Sequence, residues 1–127
     1  KFAHEKNIIF VVGVYDKTKL DNLRFFSNLY FHGHTVGGTN PSLLEAMGSN
    51  ALICANDNEF NVTILGTDAF YFKSSEDIAS CINTSIKKEY SSYLENNIEK
   101  IRKIYEWNTI IDQYELFFIK TLEGNNL

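Results

Sequence analysis

The residues best suited to chemistry lie within 29–56, LYFHGHTVGGTNPSLLEAMGSNALICAN. Gly37, Gly38 and Thr39 combine small side chains with a flexible backbone, directly before a predicted helix that Asn40 suits as N-cap. A phosphate could therefore approach several backbone N–H groups at the positive end of the helix dipole. The pattern predicts a phosphate-binding loop, and the alternative is an ordinary turn from strand to helix.

Glu45 lies one turn further into the same helix, and its side chain leans back toward the helix N-terminus. A carboxylate in that place could accept hydrogen bonds from the two hydroxyls of a ribose. The alternative is an exposed helical acid without a ligand. A phosphate loop followed by a ribose acid is a combination that binds a nucleotide, and this is our working hypothesis.

The histidines and cysteines give weaker signals. His32 and His34 are two residues apart at the end of a predicted strand, so both side chains should face the same way. No carboxylate follows at ligand spacing, which favours a packed role for His32 and a sugar or phosphate donor role for His34 over a metal site. Cys54 and Cys81 lack the clustered spacing of a zinc site, and this favours free thiols in a reducing cytoplasm.

The elements that position these residues follow from the hydrophobic pattern. Short apolar runs predict four strands, at 7–13, 29–32, 51–55 and 69–72. Helical patterns alternate with them, at about 16–27, 41–47, 59–65 and 74–88. This alternation indicates an α/β fold, a Rossmann-like parallel sheet with helices on both faces. Because ligands bind outside the carboxyl ends of such strands, the loops there should converge on the start of the 41–47 helix.

Two further helices complete the chain, an amphipathic one at about 91–105 and an apolar one at 108–122. The last one is too apolar for the surface of a small domain, so we expect it to pack on another domain. Residues 1–122 are expected to form one domain and 123–127 a flexible tail. Lys1 stands close before the first predicted strand, so we expect the domain to be truncated at its N-terminus.

Composition excludes several function classes. The chain has 127 residues, of which 44% are hydrophobic and 14% aromatic, as in a globular domain. Its formal net charge is −4 and it carries no basic stripe, which argues against nucleic acid as a partner. No apolar run reaches the roughly 20 residues of a membrane-spanning helix.

The run GGTNPSLLEAMGSNALICANDNEFNVTILGTDAFYF, residues 37–72, resembles the C-terminal domain of retaining glycosyltransferases of the GT-B fold, the glycosyltransferase group 1 enzymes. More narrowly, HGHTVGGTNPSLLEAM, residues 32–47, is similar to bacterial rhamnosyltransferase-type members of that group. The resemblance implies that this chain is part of a GT-B C-terminal domain, the one that binds the nucleotide sugar donor.

In that family the donor diphosphate is bound through the motif E-x(7)-E. Its second acid corresponds to Glu45, which the resemblance assigns to the ribose hydroxyls. Its first acid falls at Gly37, so this sequence departs from the pattern at the position that faces the transferred sugar. The resemblance further assigns the diphosphate to Gly37, Gly38, Thr39, Asn40 and Ser42, the base to Val14 and Tyr15, and the vicinity of the sugar to His34.

The activity that the resemblance implies is transfer of a sugar, by analogy rhamnose, from a nucleotide diphosphate sugar to a glycan or lipid-linked acceptor with retention. It implies no metal and no cofactor, a role in bacterial polysaccharide biosynthesis, and a cytoplasmic location at the inner face of the membrane. The acceptor site belongs to a missing N-terminal domain, through which the enzyme would also associate with the membrane, so the chain alone should be inactive. Two alternatives remain, a non-catalytic nucleotide-binding module, suggested by Gly37, and a protein-interaction domain, suggested by the apolar last helix.

Overall fold

The computed structural model of the protein describes residues 4–11 and 13–124. It confirms the α/β class, with a Rossmann-like parallel sheet flanked by helices. The sheet has three strands in the order β1–β2–β3, which are Tyr30–His32, Ile53–Asn56 and Phe70–Phe72. The helices are α1 Lys17–Phe26, α2 Pro41–Gly48, α3 Glu59–Leu65, α4 Ser75–Thr84, α5 Ser91–Ile104 and α6 Trp107–Gly124, with a 3-10 turn at Lys87–Tyr90.

Four helices begin at polar caps that the sequence predicts. Asp16 accepts a hydrogen bond from a backbone N–H in the first turn of α1, and Asn40 and Asn58 do the same for α2 and α3. Ser74 and Asp77 form a reciprocal capping box at the start of α4. Each cap supplies acceptors for N–H groups that have no partner within their own helix.

The core lies around the central strand. Residues 51–55 are buried because β2 has a hydrogen-bonded neighbour on each side and helices over its faces. Leu43 and Met47 from α2 and Leu65 from α3 are fully buried against it. The helix that carries the predicted loop chemistry is therefore anchored through its apolar side, and its N-terminus is left at the edge of the sheet.

The prediction of a strand at 7–13 is wrong for the described residues of that segment. Residues 7–11 and 13 are not in a strand, and Ile9 and Phe10 are exposed; Val12 lies outside the described residues. A strand needs a hydrogen-bonding neighbour. In the described part of the chain β1 pairs with β2 alone, and nothing pairs with this segment.

The helix predicted at 74–88 ends four residues early, at Thr84. Ser85 and Ile86 are extended, and the side chain of Asn28 holds this break from a distance of nearly sixty residues. Its Nδ2 donates to the Ser85 carbonyl oxygen at 2.7 Å, and its Oδ1 accepts from the Lys87 N–H at 2.9 Å. A tertiary contact thus overrides the local helical pattern.

The last helix is longer than predicted. It begins at Trp107, one residue early, and continues to Gly124. Residues 123 and 124, expected in the tail, are therefore helical, and residues 125–127 lie outside the described part of the chain.

Candidate functional site

A small cavity of about 200 Å³ lies where the loop after β1 meets the beginnings of α2 and α3. Because β1 and β2 are parallel, their carboxyl ends share this edge of the sheet. The cavity brings together five of the predicted site residues, with the starts of both helices beside them. Its lining consists of His34, Val36, Gly37, Gly38, Thr39, Asn40, Asn58, Phe60 and Asn61.

The charge around the cavity is low. Among the lining residues that the structure describes, His34 has the only ionisable side chain, and none of the others is a carboxylate. A neighbouring cavity of about 280 Å³ shares Gly38, Thr39 and Phe60 with the first, and Glu59 lines that second space. The first cavity is therefore lined by glycines, asparagines and an imidazole, and the acid Glu59 lines the neighbouring space.

Two asparagines of α3 and its cap fix the walls of the cavity. Nδ2 of Asn61 donates to the carbonyl oxygens of Asn56 at 2.8 Å and His34 at 3.2 Å. Nδ2 of Asn58 donates to the same two carbonyl oxygens, at 3.4 Å and 3.0 Å. The loop after β1 is thereby tied to the end of β2. Sequence reasoning identified Asn58 as a cap but missed these contacts; the signal was the three-residue spacing of the two asparagines.

The start of α2 is already capped from within. Oδ1 of Asn40 accepts hydrogen bonds from the Ser42 N–H at 2.9 Å and from the Ser42 hydroxyl at 2.7 Å. The Ser42 N–H, which the resemblance assigns to a phosphate, is therefore in use, and Ser42 does not line the cavity. A phosphate that bound this N–H would have to displace the Asn40 side chain.

Gly37 has a backbone conformation that other residues rarely adopt. Its φ angle is +118°, in the left-handed region that favours glycine. This is the position at which the motif of the resembling family has its first acid. An acidic side chain here would carry backbone strain, so the departure from that motif matches the local geometry.

Glu45 faces α1 and does not line the cavity. Its Oε2 lies 2.9 Å from Nη2 of Arg24, and the Glu45 side chain is 44% exposed. The Arg24 side chain is 10% exposed, contacts Asp21 at 3.3 Å and lies over the ring of Tyr30. The sequence did not reveal the role of Arg24, because an arginine in an amphipathic helix is normally expected on the solvated face.

The two residues predicted to hold a base are not brought to the cavity. Val14 lines a separate space of about 650 Å³, formed with Val11 and the exposed side of α1. Tyr15 is 96% exposed. The structure thus assembles the loop and His34 at one place, and leaves Glu45, Ser42, Val14 and Tyr15 outside that cavity.

His32 and His34 stack on each other, with ring centroids 4.8 Å apart. His32 is buried, and its Nε2 has no hydrogen-bond partner among the residues that the structure describes. Burial lowers the pKa of His32, and the nearby His34 lowers it further. The pair therefore places a packed imidazole beside an exposed one, and the packed role predicted for His32 is confirmed.

The thiols are both free, and only Cys54 is fully buried. Burial, with a contribution from the neighbouring Cys81, raises the pKa of the Cys54 thiol to about 12. This thiol is protonated at neutral pH and is a poor nucleophile.

Within residues 4–11 and 13–124, no three His, Cys, Asp or Glu side chains are grouped closely enough to hold a metal ion. The helices of this same part of the chain are all too short or too polar to cross a membrane. No family model, no curated protein and no solved structure matches the chain.

Proposed function

We propose that this chain is the donor-binding half of a glycosyltransferase, which takes the nucleotide diphosphate of a sugar donor into the cavity beside the start of α2. The observation that carries the proposal is the convergence of His34 with the 37–40 loop in one cavity at the carboxyl edge of the sheet. The similarity of residues 32–47 to rhamnosyltransferase-type enzymes supports the same assignment, with rhamnose as the sugar by analogy.

In this proposal the diphosphate is bound by backbone N–H groups of the glycine loop and by the His34 side chain. Charge builds up on the departing diphosphate as the bond to the sugar breaks, so donors held in fixed positions stabilise the transition state more than the ground state. The dipole of α2 contributes positive potential at the same place. No step in this scheme calls for a metal ion or a cofactor.

Glu45 would bind the ribose with Arg24 as its positioning residue. The ion pair holds one carboxylate oxygen toward α1, so a ribose would have to bind on the exposed side of Glu45. The acceptor would be a glycan or a lipid-linked glycan held by a separate domain. The two free thiols support a reducing, cytoplasmic setting.

A second candidate is a nucleotide-binding module without catalytic activity. It is favoured by Gly37, which stands where the resembling family has the acid that faces the transferred sugar and whose left-handed backbone suits glycine. Both candidates bind a nucleoside diphosphate, so binding is the property to test first.

The test is calorimetric titration of the chain with thymidine, uridine and guanosine diphosphates. We expect weak binding of at least one of them, which Gly38→Ala weakens about tenfold, since an added methyl group keeps a phosphate from the backbone and removes about one charged hydrogen bond. The Cβ of that alanine would meet no atom within 4 Å, and the Gly38 backbone lies outside the left-handed region, so the variant should fold normally.

The matched control is Gly48→Ala at the end of α2, where the new Cβ also meets nothing within 4 Å. It makes the same chemical change far from the loop and should leave the affinity unchanged. Absence of heat with all three nucleotides, or equal weakening by both alanines, would refute the proposed site.

A further inference from the structure

The last helix presents a continuous apolar stripe that the rest of the described chain does not cover. Because α-helical residues advance by 100° each, six large side chains of α6 fall on one side of it, with no charged residue among them. Each of the six is between 55% and 74% exposed. This α6 stripe consists of Trp107, Ile111, Tyr114, Phe117, Phe118 and Leu122.

The area of the α6 stripe is that of a stable interface. Four of its side chains are aromatic, and such side chains bury about 150–250 Å² each. At their observed exposure the six residues together offer roughly 600–700 Å². Two such surfaces would bury at most about 1,300 Å², and the roughly 1,000 Å² that a specific interface needs lies within that limit. The stripe also exceeds the apolar patches of about 300–600 Å² found on ordinary monomers.

The charges on the opposite side of α6 argue against a membrane as the occupant. Helices that lie on anionic membranes carry lysines and arginines on their polar face. Here the opposite side carries Asp112, Glu115 and Glu123 against the single Lys120, together with the exposed apolar side chains of Leu116 and Ile119. An acidic face is repelled by anionic lipid, whereas a second helix of the same kind can keep its own acidic face in water on the far side.

We propose that the α6 stripe is the interface of a homodimer, in which α6 of one copy packs against α6 of a second copy in antiparallel orientation. Antiparallel packing about a two-fold axis makes the stripe complementary to itself, because its two ends carry Trp107 and Leu122 and its middle carries Tyr114. It also sets the two helix dipoles in the favourable direction.

The test is sedimentation velocity over a wide dilution series, with Phe118→Glu as the interface variant. We expect the chain to sediment as a dimer that dissociates on dilution, and Phe118→Glu to raise the dissociation constant by roughly a hundredfold or more, since a symmetric interface receives the charge twice. Gln113→Glu is the matched control, because it adds the same charge to the polar side of the same helix.

Trp107 provides a second readout, since it is the sole tryptophan of the chain. Its emission should shift to shorter wavelength as concentration rises, and the shift should be absent in Phe118→Glu. Any of four outcomes overturns the proposal: a monomer at all concentrations, association that continues beyond two copies, a dimer that Phe118→Glu leaves intact, or binding of the monomer to anionic vesicles through α6.

Discussion

The hydrogen bonds of Asn61 allow a quantitative prediction about the walls of the candidate site. Asn61 is 3% exposed, and its amide donates to the carbonyl oxygens of Asn56 and His34. Replacing it with alanine removes both bonds. The two carbonyl oxygens keep their bonds from Asn58, at 3.4 Å to Asn56 and 3.0 Å to His34, so neither is left without a partner.

The expected cost follows from these contacts. Each lost hydrogen bond contributes about 0.5–1.5 kcal/mol net, so Asn61→Ala should lower the free energy of unfolding by about 2 kcal/mol. For a domain of this length that corresponds to a fall in Tm of about 7 °C. Asn61→Asp should cost more, because it turns a carboxylate oxygen toward two carbonyl oxygens in a buried place.

Burial and the two carbonyl oxygens should raise the pKa of the new aspartate in the folded state. A raised folded pKa means that stability is retained at low pH and lost as the pH rises. Asn61→Asp should thus be closest to the wild type in acid and weakest at neutral pH, as followed by urea unfolding across pH. Asn83→Ala on the exposed side of α4 is the control. Our account of the cavity walls fails if Asn61→Ala melts with the wild type, or if Asn61→Asp is no less stable than Asn61→Ala at neutral pH.

Two further predictions concern buried ionisable groups. Burial and the neighbouring His34 lower the pKa of His32, so below about pH 6.5 the unfolded chain binds a proton at this site more readily than the folded protein does. The free energy of unfolding should therefore fall as the pH drops below that value. His32→Gln should reduce this pH dependence in urea titrations. Glu45→Ala should destabilise by about 1–2 kcal/mol because the largely buried Arg24 charge then keeps only its longer contact with Asp21, whereas Arg24→Met removes the charge and should cost less. Thermal unfolding that gave the reverse order would contradict the burial of Arg24.

The parts of the fold that the sequence predicts well depend on local chemistry. Asp16, Asn40, Asn58 and Ser74 act as caps because their side chains reach N–H groups two or three residues away, whatever the rest of the chain does. The order of strands and helices follows similarly from short apolar runs between such caps. The segment 7–13 fails this test because its β propensity has no neighbouring strand to satisfy it among the described residues.

The candidate site likewise has parts that the sequence predicts and parts that depend on tertiary packing. His34 and the glycine loop are near each other because both lie in the loop after β1, and the parallel topology adds Asn58 from the segment after β2 at the same edge of the sheet. The orientation of the Glu45 side chain toward α1 does not follow from the topology, since packing decides which side of α2 faces α1. The burial of Arg24 and Asn61 was missed because it depends on tertiary partners far away in the sequence, Glu45 for Arg24 and the His34 carbonyl oxygen for Asn61.

The internal cap of α2 gives the proposed site a built-in competitor. A phosphate and the Asn40 side chain cannot accept a bond from the Ser42 N–H at the same time, and the cap is already in place at 2.9 Å. Binding there would have to replace a formed hydrogen bond, so only the difference between a charged and a neutral acceptor would count toward affinity. The backbone N–H groups of the 37–39 loop, which make no hydrogen bond within the described part of the chain, would then carry most of the binding. This is why Gly38 is a sharper probe of the proposed site than Ser42.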